Sequence, residues 1–247
     1  MTGYDDPAFF GDRWAYLYDE GPYAGPPMDT GPAVDFLANM AGNGRVLELA
    51  IGTGRIGLPL AARGLAVEGI EASQPMVDRL RAKPGGDRIP VVLGDMADVG
   101  VQGRFSLVYL IFNTLFNLTT SQRQEDTFRN VARVLEPDGA FVIECFVPNP
   151  GALAEGQRVS ALNVSEDAAT IEVAVHDLAT QSFRTQKITY TENGVRLLPL
   201  IMRYCWPNEL DLMAKLAGLR LAERYAGWHR EPFGSQSRSH VSVYRPA

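Results

Sequence analysis

Residues 46–55, Val-Leu-Glu-Leu-Ala-Ile-Gly-Thr-Gly-Arg, constrain the fold more than any other stretch of the chain. An apolar run at Arg45–Leu49 reads as a strand, and Gly52-Thr53-Gly54 then turns the chain into a helix expected to end near Arg63-Gly64. Glycine suits such a turn because a ligand can approach its backbone without meeting a Cβ, and because tight turns require positive φ. A strand, a glycine turn and a helix in immediate succession form the opening unit of an α/β fold whose ligand sits at the strand ends.

The flanking pattern extends that unit. Helices are expected at Pro32–Met40, Pro75–Lys83 and Ser121–Leu135, and strands at Ala66–Ile70, Val91–Leu93, Phe105–Ile111 and Ala140–Cys145. These strands are almost wholly apolar, as a parallel sheet covered on both faces requires. The alternation of strand and helix predicts a doubly wound, Rossmann-like α/β fold with a mostly parallel seven-stranded sheet. Pro207–Ala217 reads as a last helix, and Leu219–Tyr225 and His240–Tyr244 as the closing strands.

Two regions depart from this texture. After Pro148-Asn149-Pro150-Gly151, the runs Thr170–Asp177, Phe183–Thr191 and Val195–Tyr204 alternate in hydrophobicity, and Glu192-Asn193-Gly194 separates the last two. Asn-Gly between alternating runs signals a hairpin, so an antiparallel β-meander is expected to be inserted into the core. The N-terminus carries Tyr4, Phe9, Phe10, Trp14, Tyr16, Tyr18 and Tyr23, then breakers at Gly21-Pro22 and Gly25-Pro26-Pro27. Trp14 and Tyr18 share one face of a helix, either packing on the core or covering a pocket. Four units follow: an aromatic lid at 1–30, a cofactor-binding core at 31–150, a β insert at 151–204 and a sheet-completing segment at 205–247.

Acids at strand ends decide the ligand. Glu71 closes the second strand 19 residues after Gly52, where a carboxylate can accept from both hydroxyls of a ribose. Gly52-Thr53-Gly54-Arg55-Ile56-Gly57 also fits the dinucleotide pattern, so a nicotinamide-dependent oxidoreductase is an alternative. Three features oppose it: Glu48 sits inside the first strand, Asp95 follows the third, and no Tyr has a Lys four residues on. A carboxylate inside a strand is costly unless a cation or a hydrogen-bond donor needs it.

Taken together these motifs resemble the class I S-adenosylmethionine-dependent methyltransferases over about residues 10–150. Glu48-Leu-Ala-Ile-Gly-Thr-Gly54 matches the family's acidic glycine-rich motif, with Ala50 in place of its first glycine, and Glu71 matches the ribose-binding acid. Ala72-Ser73 and Met76 match the stretch flanking the adenine, and Gly94-Asp95-Met96 the loop reading its edge. The resemblance implies S-adenosylmethionine as cofactor, S-adenosylhomocysteine as product, and Tyr18, Glu48, Ala50, Gly52, Gly54, Glu71, Ala72, Met76, Asp95, Met96 and Ile111 as the cofactor-binding set. A second resemblance, through Ala15-Tyr16-Leu17-Tyr18-Asp19 and the β insert, is to small-molecule methyltransferases of bacterial secondary metabolism. These include the amino-sugar N-methyltransferases, which carry His near the position of Asn117 and Tyr near that of Phe10.

The resemblance implies N- or O-methylation of a secondary metabolite, with a non-catalytic S-adenosylmethionine-binding protein as the alternative. Base candidates are few among the three His. His229 follows Trp228 in a loop after the penultimate strand and, with Asn117, is the catalytic candidate. His176 lies out of phase with Ile171, Val173 and Val175, and faces solvent or the pocket mouth if those three pack inward. His240 reads as structural. Trp14, Asn113 and Trp228 are the substrate-binding candidates. The net charge of −6 argues against a nucleic-acid partner. The longest apolar run, Leu107–Phe112, is far short of a membrane span. The two cysteines form neither a metal nor a disulfide pattern, and no metal is expected. A cytoplasmic monomer or homodimer acting on a small molecule is the resulting expectation.

Overall fold

The computed structural model describes residue 3 and residues 6–19, 29–149, 151 and 156–247. Tyr4, Tyr23, Pro150 and the breaker-rich stretch at 21–27 lie outside the described residues. Short apolar runs become the strands β1 (Arg45–Leu49), β2 (Ala66–Glu71), β3 (Val91–Leu93), β4 (Phe105–Leu110) and β5 (Leu135–Phe146). These five pair in parallel, in the order β5-β4-β1-β2-β3. Beyond β5 lie β11 (Ser239–Pro246) and then the edge strand β10 (Leu219–Tyr225), with β11 antiparallel to both its neighbours. The sheet is therefore seven-stranded and mostly parallel.

Alternation along each strand divides its side chains between two covered faces. Leu47 and Leu49 of β1 and Val108 and Leu110 of β4 meet one layer of helices, α5 (Ser121–Val134) and α6 (Pro207–Leu216). Val46, Leu107 and Tyr109 meet the other, formed by α2 (Gly31–Ala41), α3 (Gly57–Ala62) and α4 (Gln74–Arg81). Phe128 of α5 is fully buried, edge-on to Phe141 and Tyr244; truncating such a ring to Ala costs about 3–5 kcal/mol. Thr120 caps α5, its hydroxyl accepting from the Arg123 N–H. Ser73 caps α4 in the same way through Met76 N–H. No helix among the described residues is long and apolar enough to cross a membrane.

The strands β6 (Gln157–Val164), β7 (Ala168–Asp177), β8 (Ser182–Thr191) and β9 (Gly194–Arg203) form a separate antiparallel meander. The sequence does not announce β6, an edge strand that is exposed along most of its length and shifts register between Ala161 and Asn163. The inward face is also the reverse of the one its apolar residues suggest. Ala174, Thr185, Thr189 and Leu198 are buried, whereas Val175 is 46% exposed. Ile171, Val173 and Val175 thus lie on the outer face, and His176 turns inward over Phe183 at 5.5 Å between ring centroids. Two further boundaries differ from expectation. The helix after the glycine turn starts only at Gly57, and β5 begins at Leu135 rather than Ala140.

At the N-terminus, α1 (Phe9–Trp14) is brief and gives way to a single tight turn at Ala15–Leu17. Its aromatics cluster: Phe10 stacks on Trp14 at 5.4 Å and meets Tyr18 edge-on at 6.2 Å. Trp14 packs with Met76 and Leu198, so α1 is wedged between α4 and β9.

Candidate active site

The glycine turn at the end of β1 is held in shape by the acid at the end of β2. Ala50, Gly52 and Gly54 all take positive φ, at 55°, 57° and 78°. A Cβ on Gly54 would approach Leu80 Cδ1 to 2.3 Å, so a side chain there would have to displace Leu80 and adopt a left-handed backbone. Gly52 N–H donates to Glu71 Oε2 at 2.8 Å, and Ser73 N–H donates to Oε1 at 2.9 Å. Burial raises the Glu71 pKa, and these backbone donors oppose the rise. Glu71 is 7% exposed, and that remaining surface faces a cavity.

The cavity encloses about 840 Å³ of empty space when its open mouth is included. It lies at the C-terminal ends of β1, β2 and β4, where parallel sheets bind ligands. Ala50 and Gly52 form its floor, Glu71, Ala72 and Met76 one wall, and Gly94, Asp95 and Met96 another. Asp95 is fixed at both oxygens, accepting from Ala97 N–H at 2.8 Å and from Arg123 Nη2 at 2.6 Å. Phe9, Phe10 and Tyr18 cover one side, and Thr114, Asn117 and Leu118 line the far end beneath Leu200 and Ile201 of β9.

Tyr18 and Asp19 close the N-terminal segment over the glycine turn. Arg55 lies 4.3 Å from the Tyr18 ring centroid and donates to the Tyr18 carbonyl at 3.0 Å. Asp19 accepts from Thr53 Oγ1 at 2.9 Å and pairs with Lys83 at 2.8 Å. Burial would raise the Asp19 pKa, but these two partners outweigh it and lower it. Farther along, Ser73 Oγ donates to Asp12 at 2.7 Å.

Nine sequence-expected residues line this one cavity: Tyr18, Ala50, Gly52, Glu71, Ala72, Met76, Asp95, Met96 and Asn117. Others stand behind it. Gly54 shapes the turn, Ile111 is buried in the layer beneath, and Glu48 is 5% exposed below the glycine turn. Glu48 Oε2 has no partner in hydrogen-bonding geometry. Burial raises its pKa to about 8, against the pull of the adjacent Tyr109 hydroxyl and the Gly57 N–H.

Four assignments need correction. The side chain of Asn113 is spent on structure, its Oδ1 accepting from Phe146 N–H at 2.6 Å. Trp14 donates its indole N–H to the Pro199 carbonyl at 3.3 Å and braces the lid rather than lining the cavity. Trp228 and His229 lie in a different recess, with Asp35, Phe36 and Arg230, because Trp228 packs edge-on against Phe36 of α2. His229 is therefore not positioned as a base for this cavity. His176 and His240 do not line it either; His240 is fully buried and its ring nitrogen Nδ1 engages Ser242.

The sequence reading missed Thr114, Leu118, Leu200 and Ile201. Leu200 and Ile201 lie in an expected strand, but only tertiary packing aims them at the cavity.

The residues present suit an adenosine-bearing cation. Glu71 can take a ribose diol, Asp95 and the Ala72–Met76 wall a purine, and the acids around Tyr18 a positive centre. Glu48, held protonated at neutral pH by burial, leaves one carboxyl oxygen unpartnered beneath the turn.

Comparison with known proteins agrees. Residues 46–139 match the family described as "Methyltransferase domain". The chain is 42% identical to the CcbJ methyltransferase from Streptomyces caelestis, with a TM-score of 0.92 over 98% of this chain and 99% of that one. It is 28% identical over 201 residues to a cypemycin N-terminal methyltransferase from a Streptomyces species, spanning 80% of this chain and 81% of that protein. It shares its fold with S-adenosylmethionine-bound CalS10, an amino pentose methyltransferase from Micromonospora echinaspora, at 21% identity and a TM-score of 0.65 over 88% and 90% of the chains. The chain belongs to the S-adenosylmethionine-dependent methyltransferases.

Proposed function

We propose that this enzyme methylates the nitrogen of a small amine of secondary metabolism. The observation that carries the reading is the far end of the cavity. There Asn117 lines the wall, its Oδ1 is buried without a hydrogen-bond partner, and no His lines the cavity. An amide oxygen accepts a hydrogen bond but cannot take a proton near neutral pH. A neutral amine attacks with its own lone pair and sheds its proton afterwards, whereas a hydroxyl benefits from a base. The acids of the cavity are committed elsewhere: Glu71 to the glycine turn, Asp95 to Arg123 and Ala97, and Asp6 to the Ala8 N–H at the rim.

When bound, S-adenosylmethionine supplies a methyl group already activated on a sulfonium. The chain's own work is then placement and exclusion of water. Asn117 Oδ1 accepts from the amine N–H and aims the lone pair. Phe10 and Tyr18 line the cavity, and an aromatic ring beside a cation is worth about 0.5–2 kcal/mol. Leu200 and Ile201 roof it.

The relatives support an amine acceptor, since one is named as an N-terminal methyltransferase and another as an amino pentose methyltransferase. The same reading takes the four units expected from the sequence as its working parts, with the β insert as the acceptor roof. It also takes the enzyme as a cytoplasmic monomer or homodimer without a nucleic-acid partner, the last supported by the net charge of −6.

The test is methyl transfer from labelled S-adenosylmethionine to an aminohexose glycoside, trialanine with a free N-terminus, and prolinamide, each beside its hydroxyl analogue. Label on nitrogen in at least one amine, and in none of the analogues, is the expected result. Transfer to a hydroxyl analogue alone overturns the reading.

A further inference from the structure

Behind the acceptor end of the cavity lies a fully buried Gln124, from the first turn of α5. It lines no part of the cavity, yet its amide is saturated. The two hydrogens of its Nε2 are shared among the carbonyls of Leu118 at 3.0 Å, Leu115 at 3.3 Å and Arg203 at 2.8 Å. Its Oε1 accepts from Arg203 Nη1 at 2.6 Å and from the Cys205 thiol at 2.8 Å. Leu115 and Leu118 bracket Asn117 in the tight turn Thr114–Asn117. Arg203 ends β9, two residues beyond Ile201 of the roof, and is pinned to Glu209 of α6 at 2.7 Å.

We infer that Gln124 is a positioning residue that fixes the aim of Asn117 and locks the acceptor turn to the roof strand β9. The inference deepens the proposed function and rests on it for the role of Asn117.

A bland account would make Gln124 a core residue that happens to be satisfied. Against it stands the choice of partners. Helix α5 and the sheet are packed by Phe128 and Val131 without help. The Gln124 amide instead joins two segments remote in sequence, the turn after β4 and the end of β9, which meet at one end of the cavity. A buried carbonyl left without its donor is unfavourable, so losing the amide frees the turn to rearrange. The cofactor walls share no hydrogen bond with Gln124, so their geometry is expected to survive.

The experiment uses the full chain and Gln124→Met, which keeps the side-chain length and removes every polar atom. Hydrogen exchange is followed with S-adenosylhomocysteine bound, and its affinity is measured by calorimetry. The Phe116 and Leu118 amides, bonded within the turn, should exchange about tenfold faster, while β1 amides hold and Kd changes less than about threefold. Unchanged exchange in the turn, or acceleration spread evenly through β1, overturns the inference. If Gln124→Met does not fold, Gln124→Glu, which keeps an acceptor beside Arg203 and removes the donor to the turn, is read in the same way.

A double-mutant cycle supplies the catalytic readout, using whichever of the three panel amines is turned over fastest. Gln124→Met should lower kcat/KM about tenfold in the wild type and have little effect in an Asn117→Ala background. Additive losses in the two backgrounds overturn the inference. If none of the three amines is methylated, the substrate reading fails while the exchange result still decides the role of Gln124 in the turn.

Discussion

Glu71 Oε2 accepts the Gly52 N–H at 2.8 Å, so the acid at the end of β2 also holds the glycine turn at the end of β1. One carboxylate thereby shapes two parts of the cofactor site. Glu71→Ala should weaken S-adenosylhomocysteine binding by one to two decades, since a hydrogen bond to a charged group is worth about 1.5–3 kcal/mol. Calorimetry with unchanged affinity would contradict this role.

Glu48 gives the protein without ligand a signature in its pH dependence. Its pKa is raised to about 8 by burial, above the ordinary carboxyl value of 4.5. The folded state therefore binds a proton that the unfolded state releases between those limits. Stability from neutral Glu48 is complete below the ordinary carboxyl range and is lost as pH rises toward about 8, at up to about 1.4 kcal/mol per pH unit. Melting curves should show wild type losing stability relative to Glu48→Gln from pH 5 to 8. Parallel curves would refute the shift.

Much of this site was legible in the sequence, and the reason is local. Gly52, Glu71 and Asp95 lie at strand ends, so finding the strands also places those residues at one edge of the sheet. Asn117 follows the same logic, after β4. The failures are tertiary. Trp228 and His229 also follow a strand, but β10 is the far edge of the sheet, and their loop folds back onto Phe36. Chain order alone does not reveal that placement. Leu200 and Ile201 look like ordinary strand residues, and nothing local says which face of β9 meets the cavity. The apolar triplet of β7 leaves its facing open for the same reason: the buried side chains of the meander are Ala174, Thr185, Thr189 and Leu198, half of them threonines.

Ala50 occupies a left-handed conformation, φ 55°, that costs a residue with a Cβ about 1–2 kcal/mol. Glycine would relieve this strain but give up a packed methyl and add freedom to the unfolded chain, about 0.5–1 kcal/mol for each. Ala50→Gly should therefore stay within about 1 kcal/mol of wild type in urea unfolding. Ala50→Val, branched at Cβ, should lose at least about 2 kcal/mol. Equal stability of the two variants would show that the backbone here is unstrained.

Asp19 latches the N-terminal segment to Thr53 and Lys83. Asp19→Asn removes the ion pair and keeps the shape. Release of S-adenosylhomocysteine, followed by stopped flow, should quicken about fivefold, the equivalent of roughly 1 kcal/mol for a partly buried pair. An unchanged release rate would mean that the segment does not gate the cofactor.

The central claim, an amine acceptor oriented by Asn117 without a protein base, is tested most directly by kcat/KM against pH for two accepted amines of different basicity. The account predicts a rise to a plateau whose midpoint follows each amine's own pKa, with His229→Ala superimposable on wild type. A midpoint near the imidazole value of about 6.5 that is the same for both amines and absent from His229→Ala would contradict it.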